Sequence, residues 1–146
     1  MIAVSACLAG VSCKYDGKDN CVESLKEMAE RGEAVLICPE VMGGLSVPRD
    51  PCERKGERVC TRKGKDCTAE YRKGAEEALA LLQKKGVRVA VLKAKSPSCG
   101  KGCIYDGNFT RTLIPGNGVA AQLLMENGIR VFTETEWEKE KENSVL

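Results

Sequence analysis

The chain has 146 residues, of which 42% are hydrophobic and 30% are charged, and its 23 Lys and Arg residues against 21 Asp and Glu residues give a net charge of +2 at pH 7. This composition fits one compact domain of common size, and the charge is too small to indicate stable binding to nucleic acid. The nine cysteines and the lack of histidine exclude Ser-His-Asp and Cys-His catalysis and every histidine-held metal.

Short aliphatic runs alternate with helical patterns along the chain. The predicted elements are, in chain order, a strand at 2–6, a helix at 22–31, a strand at 34–37, a helix at 68–86, a strand at 87–92, a helix at 119–126, a strand at 129–133 and a solvated last helix after residue 134. This alternation predicts a three-layer α/β domain over residues 1–146, a Rossmann-like open parallel sheet with helices on both faces. The polar segment at about 46–67 predicts an inserted hairpin or ordered loop.

Cysteine usage and hydropathy favour a reducing compartment. Nine cysteines in 146 residues fall below the roughly 8–10% typical of short secreted disulfide scaffolds, and an odd count leaves one unpaired. The first residues do not read as a signal peptide, and no apolar run approaches the ~20 residues that span a membrane. We therefore predict a cytoplasmic protein without membrane association, in which clustered thiols serve as metal ligands or redox groups.

Three cysteines, Cys7, Cys38 and Cys99, each follow a predicted parallel strand. Open α/β sheets bind ligands at the carboxyl edge of their strands. Any one of these thiols alone is better explained as a buried apolar residue, but three at one edge reverse this and favour a shared site. Because the chain has no C-x-x-C motif and no histidine, all-thiolate ligation of an iron–sulfur cluster fits better than zinc. Three ligands would leave one iron open as a Lewis acid.

Two residues near this edge are candidates for proton transfer, Glu40 after Cys38 and Ser96 before Cys99. Either side chain can handle protons where imidazole is lacking. Position alone allows structural roles equally, since Ser96 can cap a turn and Glu40 can pair with the basic loop.

Further patterns leave alternatives open. A short segment occurs twice, as Cys13-Lys14-Tyr15-Asp16-Gly17 and as Cys103-Ile104-Tyr105-Asp106-Gly107. This repeat predicts either two similar turns or two tyrosines that line a pocket. Arg49 and Arg54 could reach an anionic substrate group or remain solvated. The thiols of Cys52, Cys60 and Cys67 have spacings that match no standard metal motif, which favours packing roles.

Three ordered motifs resemble those of the thiouracil desulfidase family. They are Ser5-Ala6-Cys7-Leu8-Ala9-Gly10 with Cys13-x-Tyr15-Asp16-Gly17, Cys38-Pro39-Glu40-Val41 with Gly43-Gly44-Leu45 and Pro48-Arg49, and Ser96-Pro97-Ser98-Cys99-Gly100 with Ile104-Tyr105-Asp106-Gly107. The resemblance implies a [4Fe-4S] enzyme that removes sulfur from a small thiolated nucleobase, nucleoside or related compound.

By the same resemblance, Cys7, Cys38 and Cys99 hold the cluster, and the substrate sulfur binds its open iron. Glu40 activates the attacking water, and Ser96 assists proton transfer. Cys13 is a rival for one ligand position. The alternative functions are a non-enzymatic iron–sulfur protein for electron transfer or redox sensing, with a fourth cysteine ligand, and a zinc-stabilised module built on Cys52, Cys60 and Cys67.

Overall fold

The computed structural model describes residues 1–145, with side chains as far as Lys141. The strands are β1 (Ile2–Ser5), β2 (Ala34–Ile37), β3 (Cys52–Lys55), β4 (Arg58–Thr61), β5 (Val89–Leu92), β6 (Cys103–Tyr105), β7 (Leu113–Pro115) and β8 (Arg130–Thr133). The helices are α1 (Glu23–Glu30), α2 (Pro39–Met42), α3 (Thr68–Lys84), α4 (Val119–Glu126) and α5 (Glu134–Val145), and a 3₁₀ turn covers Ala6–Ala9.

Four strands form the central sheet in the order β2-β1-β5-β8, and every neighbouring pair is parallel. These are the four strands that the aliphatic runs predict. Val4 at the middle of β1 pairs with Leu36 on one side and with Val91 on the other. The predicted Rossmann-like α/β fold is therefore confirmed, with the carboxyl ends of β1, β2 and β5 at one edge.

Alternate residues of the central strands face two different helical layers. Ala3 of β1 packs in the apolar cluster that includes Ala78 of α3 and Leu124 of α4. Its neighbour Val4 packs in the cluster that includes Leu25 of α1. Because successive side chains of a strand point to opposite faces, the sheet is covered on both sides.

Two antiparallel hairpins interrupt this pattern. β3 and β4 pair within the polar segment at 46–67. β6 and β7 pair between residues 92 and 119, where the glycines at 107, 116 and 118 predict only a loop. That prediction is wrong because the two strands are only three residues long and carry no clear alternation signal. Glu53 joins the hairpins, since its Oε1 accepts the backbone N–H groups of Gly107 at 3.1 Å and Phe109 at 3.0 Å.

The last helix forms as predicted, and most of its described side chains are exposed. Trp137 of α5 is an exception, because it packs in the apolar cluster that includes Val4 and Leu25, and its ring meets that of Phe132 edge-on with centroids 5.7 Å apart. One aromatic side chain thus anchors a largely charged helix to the sheet. Across the helices of the described residues, none has the length and apolar content needed to cross a bilayer.

Candidate functional site

A cavity of about 600 Å³ lies at the carboxyl edge of the central sheet. Its lining includes Cys7 in the turn after β1, Cys38 directly after β2 and Cys99 in the loop after β5. The three thiols are far apart in sequence and meet because parallel strands end at a common edge. The structure therefore brings the three predicted ligands into one cavity.

The thiols are close enough to influence one another. Burial and the nearby Cys38 raise the pKa of Cys7, while burial raises that of Cys99 to about 12. The pKa of Cys38 is lowered to about 6 because its sulfur accepts a hydrogen bond from the Cys13 thiol. Asn20 Nδ2 also lies 3.8 Å from the Cys7 sulfur as a donor. Of the three thiols, that of Cys38 is thus the one shifted toward the thiolate, while burial opposes ionisation of Cys7 and Cys99.

The donor set fits an iron–sulfur cluster. Within residues 1–141, no three Cys, Asp or Glu side chains gather closely enough to hold a single metal ion. Three thiols that line one cavity of about 600 Å³ suit a multi-iron cluster, which is larger than one ion and takes thiolate ligands. The zinc site considered for Cys52, Cys60 and Cys67 is not formed by these described side chains.

Two further thiols reach the same cavity, Cys13 and Cys52. Cys13 is buried beside Cys38, so its position alone does not separate a ligand from a hydrogen-bond donor to a ligand. Cys52 of β3 packs against Cys67 and Tyr71, and burial raises its pKa to about 12. The sequence predicts no cavity position for Cys52, because the β3–β4 hairpin folds back over the site through long-range contacts.

Glu40 of α2 contributes a carboxylate to the lining of this cavity. Its Oε1 accepts hydrogen bonds from Arg49 Nε at 3.1 Å and from the Tyr71 hydroxyl at 3.0 Å. Its Oε2 accepts a hydrogen bond from Ser98 Oγ at 2.8 Å. With 16% of its side chain exposed, Glu40 is held in one orientation by three donors.

Two glycines allow this placement of Glu40. A Cβ atom at Gly43 would collide with the backbone carbonyl of Glu70, and one at Gly74 would collide with that of Pro39. The short α2 therefore lies directly against the backbone of α3. This close approach brings Glu40 within hydrogen-bond distance of Tyr71.

Ser96 lines the cavity and is half-buried. Its Oγ accepts the backbone N–H groups of Ser98 at 3.1 Å and of Cys99 at 3.0 Å, so it organises the turn that carries Cys99. Its Oγ also lies 3.0 Å from Ser98 Oγ. The Ser98 hydroxyl therefore lies within hydrogen-bond distance of both Ser96 and Glu40. No pattern in the sequence predicts this position for Ser98.

The tyrosines of the two repeated segments, Tyr15 and Tyr105, both line the cavity, which agrees with their interpretation as pocket-lining residues. The arginines behave differently from one another. The Arg49 guanidinium is engaged by Glu40 and by the carbonyls of Cys13 and Ser46. Arg54 does not line the cavity; it donates to the carbonyl of Asn117 at 2.7 Å and so links β3 to the start of α4.

Three residues around the cavity have strained backbone. Lys95, Phe109 and Arg111 are the non-glycine residues with positive φ in the described chain, with values of 70°, 57° and 59°, and all three line the cavity. Left-handed backbone is uncommon for such side chains and tends to cluster at functional sites. These backbone conformations are a second, independent indication that the cavity is the functional site. No pattern in the sequence predicts them.

Comparisons with known proteins agree with this geometry. Residues 2–136 match the family model described as 2-thiouracil desulfurase. The uncharacterized protein YbbK of Bacillus subtilis (strain 168) is 39% identical, over 93% of this chain and 97% of that protein. The solved structure of the [4Fe-4S]-dependent thiouracil desulfidase TudS superposes with a TM-score of 0.91 and 44% identity, over 99% of this chain and 98% of that one.

Proposed function

This chain belongs to the 2-thiouracil desulfurase family, and we propose that it is a [4Fe-4S]-dependent desulfidase. It removes sulfur from a small thiolated nucleobase, nucleoside or related compound and releases hydrogen sulfide. The observation that carries this proposal is the convergence of three thiols from three strand ends on one cavity that also contains Glu40 and Ser96.

The proposed cluster ligands are Cys7, Cys38 and Cys99. When bound, the cluster supplies an iron atom with an open position that can bind sulfur as a Lewis acid. Asn20 donates toward the sulfur of Cys7, and such donors stabilise thiolates as ligands. The chain thus contributes the ligands together with the groups that orient them.

The proposed proton-transfer residues are Glu40 and Ser96. Replacing the sulfur of a thiocarbonyl by oxygen requires a water that loses a proton and a substrate that gains one. Glu40 is the carboxylate base for that proton, since three donors hold it at the cavity wall. Ser96 offers a hydroxyl that also lines the cavity, so it can assist proton transfer to the substrate.

The alternative role, electron transfer or redox sensing, is not favoured. The matching family model is described as a 2-thiouracil desulfurase and the similar solved structure is named a thiouracil desulfidase, and both names describe sulfur removal rather than electron transfer. All nine cysteines are free thiols, which supports a reducing, cytoplasmic setting as part of the proposal.

The test is anaerobic purification of the full chain, followed by iron and sulfide analysis and by turnover of 2-thiouracil. We expect iron and inorganic sulfide with the protein, and stoichiometric release of uracil and hydrogen sulfide. Zinc without iron would contradict the cluster. A cluster-containing protein that releases no sulfide from thiolated bases or nucleosides would instead favour the electron-transfer alternative.

A further inference from the structure

The loop at 106–112 joins β6 to β7 and contributes two side chains, Phe109 and Arg111, to the lining of the cavity. Both residues have positive φ, with values of 57° and 59°, a conformation that costs free energy for residues other than glycine. Such a backbone persists only where the surrounding structure holds it. The loop therefore needs contacts that keep these two side chains at the cavity.

Glu53 of β3 supplies two hydrogen bonds to this loop. Its Oε1 accepts the backbone N–H groups of Gly107 at 3.1 Å and of Phe109 at 3.0 Å. Hydrogen bonds to an ionised carboxylate are roughly twice as strong as those between neutral groups. One side chain thus fixes the loop backbone on both sides of Asn108.

Lys55 contacts the same part of the loop. It lies two residues after Glu53 in β3, and alternate residues of a strand point to the same side. Its Nζ donates to Oδ1 of Asn108 at 2.8 Å. A Cβ atom at Gly107 would come within 2.6 Å of the Cβ of Lys55, so the loop backbone lies directly against this strand.

A further contact reaches the ring of Phe109. Arg62, directly after β4, places its guanidinium carbon 5.5 Å from the ring centroid, within the range of a cation–π interaction. Arg62 lines the cavity as well. The β3–β4 hairpin therefore holds both the backbone and the side chain of Phe109.

We infer that Glu53 is a positioning residue that holds the 106–112 loop in the conformation that binds substrate. The inference rests on the proposed function and gives the β3–β4 hairpin a role in substrate affinity. Glu53 also lines the cavity, but in this scheme it acts through Phe109 and Arg111. The proposed cluster ligands follow β1, β2 and β5 and are held independently of the hairpin, so loss of the Glu53 hydrogen bonds should spare the chemical step.

The expected effect is a change in KM rather than in kcat. The apparent dissociation constant equals the intrinsic one divided by the fraction of molecules that are competent to bind. If the loop without its Glu53 hydrogen bonds keeps the competent conformation about a tenth of the time, KM rises about tenfold. The value of kcat describes reaction from the bound state, so it should stay within about twofold.

The first experiment measures turnover of 2-thiouracil by the holoenzyme. Glu53→Ala should raise KM about tenfold, with kcat and bound iron kept. Glu53→Gln retains an acceptor oxygen without the charge, so its KM should lie between those of the wild type and the alanine variant. Glu57→Ala is the matched control, because it removes an exposed carboxylate from the turn of the same hairpin, and its KM should match the wild type.

The second experiment reports on the loop itself and does not depend on turnover. Arg111 is exposed, and trypsin cleaves after arginine where a segment opens locally. In the full chain, Glu53→Ala should speed the cut after Arg111 at least about tenfold, as followed by mass spectrometry of the fragments. The cut after Arg31, exposed at the end of α1, is the internal control and should keep its rate.

The failures are distinguishable. A wild type that binds iron and releases no sulfide overturns the proposed function and the role of the loop in substrate binding, while the trypsin rates still decide whether Glu53 holds the loop. In an active protein, a raised KM with an unchanged cut after Arg111 would mean that Glu53 acts by touching substrate, which overturns the positioning role. A KM of Glu53→Ala within about twofold of the wild type, or a fall in kcat at unchanged KM, overturns it as well.

Discussion

Arg49 and Glu40 form an ion pair that is nearly closed off from solvent. Nη2 of Arg49 lies 3.1 Å from Oε1 of Glu40, and the two side chains are 8% and 16% exposed. The same guanidinium donates to the carbonyls of Ser46 and Cys13 at 3.0 Å each. Arg49 therefore holds the carboxylate and ties α2 to the loop that carries Cys13.

Arg49→Lys tests this pair. Lysine keeps the charge but cannot reproduce the planar fork that reaches three acceptors, so we expect a loss of about 1–3 kcal/mol in the free energy of unfolding and a roughly tenfold lower kcat. Urea unfolding and 2-thiouracil turnover measure the two effects. Arg31→Lys, at an exposed pair with Glu33, serves as the control and should change neither. Unchanged stability in Arg49→Lys would contradict a structural role for the fork.

Glu40→Gln should abolish most turnover while the cluster remains. The amide is nearly isosteric but cannot take a proton, and general base catalysis contributes about 10²–10⁴-fold. We expect kcat to fall by that factor with unchanged iron content. Glu27→Gln, on the exposed face of α1, is the control. Full activity in Glu40→Gln would remove this residue from the mechanism.

The ligand assignment is tested by single alanine substitutions. Cys7→Ala, Cys38→Ala and Cys99→Ala should each lose most of the bound iron after anaerobic reconstitution, because each removes a thiolate from the cluster. Cys21→Ala, at an exposed cysteine, should bind iron like the wild type. Iron and sulfide per chain are the measurements.

A Cys13→Ala variant distinguishes between two possible sets of cluster ligands. On the proposed ligand set, Cys13→Ala should retain the cluster, because Cys13 would then be a hydrogen-bond donor to the Cys38 sulfur and not a ligand. If Cys13→Ala lost the cluster while one of the other three variants kept it, Cys13 would be a ligand in place of that residue.

Gly74→Ala tests the backbone contact between α3 and α2. The added methyl group would meet the carbonyl of Pro39, and overpacking of this kind costs about 1–3 kcal/mol. We expect a lower melting temperature and a lower kcat, since α2 must move and Glu40 moves with it. Lys73→Ala, the exposed neighbour in the same helix, should have little effect on either. A Gly74→Ala protein with wild-type stability would show that the two backbones can separate freely.

Asp66→Asn tests a pH-dependent contact at the start of α3. Hydrogen bonds from Thr68 and Arg58 lower the pKa of Asp66, and its Oδ1 accepts the Thr68 N–H at 2.8 Å. A lowered pKa means that ionised Asp66 stabilises the fold above its unfolded pKa and loses this effect as pH falls through the folded value. Thermal unfolding from pH 7 to pH 2 should show the variant less stable at pH 7 and the difference shrinking with acid. A constant difference would contradict the assignment, and Glu76→Gln, at an exposed position in α3, is the control.

Much of the framework follows from the sequence alone. Aliphatic runs of four to six residues predict the four strands of the sheet because strands buried on both faces are mostly apolar and show no regular alternation of apolar and polar residues. The same topology predicts that Cys7, Cys38 and Cys99 meet, because parallel strands share one carboxyl edge. The hydrophobic pattern of the sequence is therefore sufficient to place these three cysteines, because their position depends only on the direction of the strands that precede them.

Only the tertiary structure decided which side chains complete the site. Ser98 reaches Glu40, Cys52 reaches the cavity and Arg54 does not. Each of these placements depends on contacts between segments distant in sequence, such as the β3–β4 hairpin against α3 or the Ser98 turn against Gly118. The periodicity of apolar residues predicts where strands and helices lie in the chain. The orientation of a loop side chain, in contrast, is set by the packing of the whole molecule.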